Sequence, residues 1–143
     1  MREAIRLARA AAMAGEVPVG AVLVSDAGII TGRGSNSPIS LHDPTAHAEI
    51  LALREAARGA GNYRLKGATL YCTLEPCVMC AGALVPARVA RLVFGTRDLR
   101  FGGVRGKFQV ADSEILNHRL QVEEGLLSVE CVGLLRDFFE TRR

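Results

Sequence analysis

Thr73-Leu74-Glu75-Pro76-Cys77-Val78-Met79-Cys80-Ala81-Gly82-Ala83 is the stretch on which the reading of this chain turns. Its front end closes a short apolar strand over 68–74, in which Tyr71 and Thr73 are good strand formers. Pro76 then announces a helix over about 77–85, because proline is tolerated at a first helical turn, and Pro86 stops it. A strand over 89–94 follows. Working outward toward the N-terminus, 59–67 is a loop behind a helix over about 45–58. That helix is introduced by Asp43-Pro44-Thr45, whose side chains can accept from free backbone N–H groups. Before it, a polar loop over 36–44 follows a hairpin of 17–24 and 29–34 turned by Asp26-Ala27-Gly28. Ile5, Ala8 and Ala12 recur at helical spacing in a first helix that ends near Gly15. Toward the C-terminus, a last strand over 118–122 and a last helix over 126–140 complete the chain. Strands alternating with helices after an initial hairpin predict a mixed sheet in an α/β layer architecture.

The 143 residues fit one domain, 1–143, and 49% hydrophobic with 23% charged residues exclude a disordered chain. Every apolar run is interrupted before the roughly 18 to 20 residues a bilayer crossing needs, which argues against a membrane span. The arginines of the first helix alternate with Glu3 and run straight into the strand pattern, so an amphipathic helix is a better reading than a transit peptide. Four cysteines without a disulfide-like array predict a reducing compartment, the cytoplasm. The net charge of +3 is modest, but Arg97, Arg100, Arg105 and Lys107 face only Asp98 within 97–107. Phe101 and three glycines share that segment, and Phe108 follows it directly. It reads equally as a solvated loop or as a loop that holds backbone phosphate and stacks on a base.

The chemistry sits in His47-Ala48-Glu49 and Pro76-Cys77-Val78-Met79-Cys80. Cysteines at i and i+3 of a helix start share one face, where the helix dipole favours thiolates. One imidazole and two thiolates bind Zn2+ and leave one tetrahedral position for water, the feature that separates catalytic from structural zinc. Glu49 is the candidate proton carrier. The spacing holds a difficulty, since i and i+2 diverge on a regular helix, and it requires the zinc to lie off the helix end. Competing readings are a redox Cys-x-x-Cys pair and a structural site completed by Cys72, Cys131, His42 or His118. None of those four has a metal spacing. Cys72 and Cys131 read as core, and His42 and His118 as surface or hydrogen-bonding residues.

These two motifs resemble the signature of the zinc-dependent nucleoside and nucleobase deaminases, a pattern known as H-x-E…P-C-x-x-C. Within that superfamily, Val17-Pro18-Val19-Gly20-Ala21-Val22, Asp43 to Glu49, Thr73 to Ala83 and Asp137-Phe138-Phe139 resemble the tRNA-specific adenosine deaminases. The resemblance runs from the first strand to the last helix. It implies a cytidine deaminase-like three-layer α/β/α fold with a five-stranded mixed sheet, a homodimer with one Zn2+ per subunit, and conversion of adenosine to inosine at the wobble position of a tRNA anticodon stem-loop. By position, it implies that His47, Cys77 and Cys80 hold zinc and that Glu49 shuttles the proton. Asn36 would contact the target base, and the amides around Leu74 and Glu75 would line the pocket. Asp98, Arg100, Lys107, Phe138 and Arg142, with Arg143 beside it, are the expected RNA contacts. The segment Phe101-Gly102-Gly103-Val104-Arg105-Gly106-Lys107-Phe108 departs from the small-residue run that family members commonly carry there. Two further functional classes compete: a free nucleobase or nucleoside deaminase of guanine or cytosine type on the same zinc site, and a noncatalytic zinc-stabilised RNA-binding module.

Overall fold

In the computed structural model, which describes residues 1–142, five strands form one mixed sheet in the order β2-β1-β3-β4-β5. Arg143 lies outside the described residues. In chain order the elements are α1 (Arg2–Met13), β1 (Gly20–Val24), β2 (Ile30–Ser35), α2 (Pro38–Leu41), α3 (Ala48–Ala60), β3 (Thr69–Leu74), α4 (Val78–Leu84), β4 (Arg91–Thr96), β5 (Gln121–Glu124) and α5 (Ser128–Glu140). β1 is antiparallel to β2 and β3, whereas β3, β4 and β5 run parallel. α1 and α5 pack together on one face of the sheet, and α3 and α4 on the other. The expected three-layer α/β/α arrangement is therefore present. No helix among the described residues is long and apolar enough to cross a membrane.

Side-chain alternation places the layers. Ala21 and Leu23 of β1 and Leu70 and Cys72 of β3 are buried with Ala48, Ala52 and Ala56 of α3. Ala4, Ile5, Ala8 and Ala11 form the buried stripe of α1. Small residues bring α3 unusually close to β2. A Cβ on Gly34 would stand 1.8 Å from the carbonyl oxygen of Ala48, and one on Gly32 would stand 2.1 Å from that of Ala52. The first turn of α3 is thereby seated directly on a strand.

Element ends shift by one to three residues from the sequence expectation, β4 for instance from 89–94 to Arg91–Thr96, and four of the differences have a local reason. β1 begins at Gly20 rather than at 17, because Val19 donates to Val17 and Pro18 has no N–H to give. The polar loop over 36–44 contains the short α2, whose Ser40 donates both N–H and O–H to the buried carboxylate of Glu16. Asp43 accepts from the N–H and hydroxyl of Thr45, so Asp43-Pro44-Thr45 makes a side-chain-closed turn and α3 starts only at Ala48. The last strand is Gln121–Glu124, displaced from 118–122, with Leu120 held by Ala111 and the His118 ring engaged by the Val89 carbonyl.

Candidate active site

His47 and Cys77 are the cap residues of α3 and α4, both in extended conformation, and Cys80 lies in the first turn of α4. α3 lies on β2 and β1, and α4 follows directly from β3 and touches α3, so the N-terminal ends of the two helices converge. Nδ1 of His47 lies 3.6 Å from Sγ of Cys77 and 3.6 Å from Sγ of Cys80. With Zn–S near 2.3 Å and Zn–N near 2.0 Å, a tetrahedral ion requires an N···S edge of about 3.6 Å. The three groups therefore fit zinc in chemistry and in dimension. Among the described residues they form one cluster, and no fourth histidine, cysteine or carboxylate joins it.

Electrostatics lead to the same ion from the protein side. A hydrogen bond from Cys80 is the main cause drawing the Cys77 thiol down to about 4, and the same bond with burial pushes Cys80 well up. Two thiolates side by side repel, so ionising one opposes ionising the other. A divalent cation lets both ionise. The hydrogen bond with Cys77 raises His47, whereas a metal takes up neutral imidazole. Glu49, one residue into α3, is buried at 3% exposure. Burial pushes its carboxyl up to about 7, against the opposing pull of the His47 charge. A carboxyl that titrates near neutrality can both accept and return a proton.

The cluster opens into a cleft of about 1060 Å³. Asn36, Leu74, Glu75, Asp98, Arg100 and Arg142 all stand on its wall, as the sequence led us to expect of substrate contacts. Two other expected contacts do not. Lys107 is exposed outside the lining, and Phe138 is buried at 8% exposure, with the guanidinium of Arg142 stacked 3.7 Å from its ring centroid. Phe139 takes the place in the cleft that had been expected of Phe138. Glu75 also differs in role from the expectation. Its N–H is spent on Thr96, and its carboxylate accepts backbone N–H groups from Asp98, Val104, Arg105 and Gly106. The basic loop is less free than its composition suggests. Arg97 forms a bidentate pair with Glu124 at 2.7 Å, and Arg105 pairs with Asp112. Among the described residues Arg100 and Lys107 enter no salt bridge.

Sequence reasoning gave no role to Val17, Val78, Leu99 or Leu135 on the cleft wall, and named Phe101 only as part of a loop that could stack on a base. The four are apolar residues whose place on the cleft depends on tertiary position, which no local pattern announces.

One imidazole and two thiolates spaced to hold zinc, with a buried acid next to them in an open cleft, define a metal-dependent hydrolytic enzyme. The chain belongs to the cytidine and deoxycytidylate deaminase family, whose zinc-binding region matches residues 1–96. The protein is 52% identical over 143 residues to the tRNA-specific adenosine deaminase of Haemophilus influenzae, covering 100% of this chain and 83% of that one. It is 46% identical to the enzyme of the same name from Buchnera aphidicola, covering 100% of this chain and 88% of the other. Among solved structures, a tRNA:A34 deaminase studied for A-to-I editing at the wobble position superimposes with a TM-score of 0.90 at 42% identity, over 94% of this chain and 97% of that one. A guanine deaminase from Nitrosomonas europaea superimposes with a TM-score of 0.83 at 26% identity, over 96% and 81%.

Proposed function

We propose that this protein hydrolyses adenosine to inosine at the wobble position of a tRNA anticodon, releasing ammonia. The observation that carries the reading is the cleft. Arg100, Arg142, Phe101 and Phe139 line it together with His47, Glu49 and Cys77, and cationic and aromatic side chains beside the zinc cluster support binding of phosphate and stacking on a base. The likeness to tRNA-specific enzymes along the entire chain supports the same substrate. An unpaired anticodon loop lets the target base be splayed out at small cost.

When bound at His47, Cys77 and Cys80, zinc brings the pKa of a water molecule toward neutrality and so supplies the attacking oxygen. Glu49 takes the proton from that water and delivers it to N1 of the adenine as C6 becomes tetrahedral. It next takes the remaining proton from the C6 hydroxyl and passes it to the exocyclic amine, so that the C6–N bond breaks, ammonia leaves and the C6 carbonyl of inosine remains. Asn36, buried at 8% exposure on the cleft wall, orients the base. The whole of 1–143 works as one deaminase domain, a reading supported by a single sheet that contains every strand. The working form is a cytoplasmic homodimer. Four free cysteines and the exposed apolar side chains of Ile39 and Leu41 support that reading.

The second reading, deamination of a free base, draws on the Nitrosomonas europaea structure. A panel of tRNA, anticodon stem-loop, nucleosides and bases separates the two, with ammonia release measured against Glu49→Ala. Turnover of the stem-loop adenosine is the expected result. Inactivity on RNA together with turnover of guanine or cytosine refutes it.

A further inference from the structure

The carboxylate of Glu75 is buried at 1% exposure, yet its hydrogen bonds go neither to a zinc ligand nor to the proton carrier. Its four partners are backbone N–H groups of a single loop. Asp98 donates to one oxygen at 2.9 Å, while Val104, Arg105 and Gly106 converge on the other, at 2.9 Å for Val104 and 2.8 Å for Gly106. Around this knot the loop is fastened to the segment that starts α4. Gly103 donates to the Pro76 carbonyl at 2.8 Å, and Gly102 bridges to Cys77. Loop and zinc ligand are thus one mechanical unit.

The glycines follow from this packing. A Cβ on Gly102 would lie 2.5 Å from the Glu75 carboxylate, and one on Gly106 would lie 2.0 Å from the Asp98 carbonyl. One on Gly103 would lie 2.8 Å from the Cys77 carbonyl. The glycine run is therefore what lets the loop close around a carboxylate. With the loop closed, Asp98, Leu99, Arg100 and Phe101 stand on the cleft wall.

We infer that Glu75 is a positioning residue for substrate selection: it holds the 98–106 loop so that Arg100 and Phe101 grip the RNA strand beside the base being deaminated. The inference rests on the tRNA reading above and extends it to a residue that does not itself touch substrate. Ionised donors and acceptors make the strongest hydrogen bonds, and a buried carboxylate that accepts four of them organises backbone more firmly than neutral contacts do. Replacing one oxygen by an amide sets N–H against N–H at this knot.

The test is Glu75→Gln in the zinc-loaded protein, with Gly106→Ala attacking the same joint from the loop side. Zinc content, amide hydrogen exchange, and kcat and KM on an anticodon stem-loop are measured for each. The expected result is full zinc occupancy, exchange at Asp98, Val104, Arg105 and Gly106 accelerated at least tenfold with α3 unchanged, and KM raised about tenfold with a much smaller change in kcat. Glu75→Asp should recover part of the KM. Accelerated loop exchange with unaltered KM overturns the inference, as does a collapse of kcat at constant KM. If Glu75→Gln does not fold, the same pattern in Gly106→Ala carries the decision. A wild-type protein that fails to turn over the stem-loop refutes the underlying tRNA reading, and the inference with it, before any variant is assayed.

Discussion

Gly34→Ala should disable the metal site from the far side of a helix. The new Cβ would stand 1.8 Å from the carbonyl oxygen of Ala48 and 2.9 Å from the Ala52 nitrogen. Ordinary contacts lie beyond 3 Å, so the first turn of α3 must retreat by more than an ångström. Both obstructing atoms are backbone, and no rotamer change relieves them. Ala48 sits between His47 and Glu49, so the retreat moves a zinc ligand and the proton carrier together. Metal sites tolerate displacements of about 0.2 Å. The tetrahedral edges of 3.6 Å from His47 to the two sulfurs therefore cannot survive. Overpacking costs about 1–3 kcal/mol, and misplacement of catalytic groups by about 1 Å costs on the order of a hundredfold in rate. We expect zinc content well below one per chain, at least a hundredfold loss of turnover, and a lower melting temperature that excess zinc only partly restores. Gly59→Ala on the same helix is the control. A Cβ at that position would meet nothing within 4 Å, so the substitution should stabilise by up to about 1 kcal/mol and leave zinc and turnover intact. A Gly34→Ala protein with full zinc and wild-type kcat would refute the idea that close seating of α3 on β2 sets the site.

Glu49→Gln should retain zinc and lose turnover by at least about 10³-fold, read by ammonia release and metal analysis. In the metal-free protein the same variant tests burial. The Glu49 carboxyl is raised from 4.5 to about 7, so between those values the unfolded chain has released a proton that the folded one keeps. Stability must fall as pH rises through that window, and metal-free wild type should lose on the order of 3 kcal/mol relative to Glu49→Gln between pH 4 and pH 8. Equal pH profiles in chemical denaturation would contradict this. Chelation should lower the melting temperature in a manner that depends on free zinc, the stability lost being about 2.7 kcal/mol where free zinc had stood at a hundred times its Kd. A melt insensitive to chelator would deny zinc a structural share. Arg100→Ala should weaken stem-loop binding and reduce the slope of log affinity against log salt by about 0.7 to 0.9, the share of one phosphate. An unchanged slope removes Arg100 from the RNA contacts.

Local patterns made the hairpin, the strand-helix-strand unit around Pro76 and the metal trio legible in the sequence, because each is written within a few residues. What escaped depends on distant partners. The short α2 closes on Glu16, 24 residues before Ser40, and no periodicity announces such a pair. The alternate glycines of β2 read as weak strand formers until α3 is seen lying on them. Phe138 and Phe139 differ by about 100° on a helix, and only its packed face distinguishes them. A clue existed there: Cys131 and Phe138 are seven residues apart and share one helical face, and both are buried. Extending the core reading of Cys131 by one heptad would have placed Phe138 in the core, in place of the RNA contact expected of it, and left Phe139 for the cleft.

The two-residue step from His47 to Glu49 also finds its explanation in backbone geometry. On a helix these side chains would point about 200° apart, and no single ion could use both. His47 instead has φ −73° and ψ 151°, outside the helix, and Glu49 is the second residue inside it. The turn closed by Asp43 delays the start of α3 to the residue after the ligand, which turns a diverging pair into two walls of one cavity. The Asp43-Pro44-Thr45 motif therefore serves the site by preventing helix where the sequence invites it. Moving the start of α3 three residues earlier would give a better helix and destroy the metal centre.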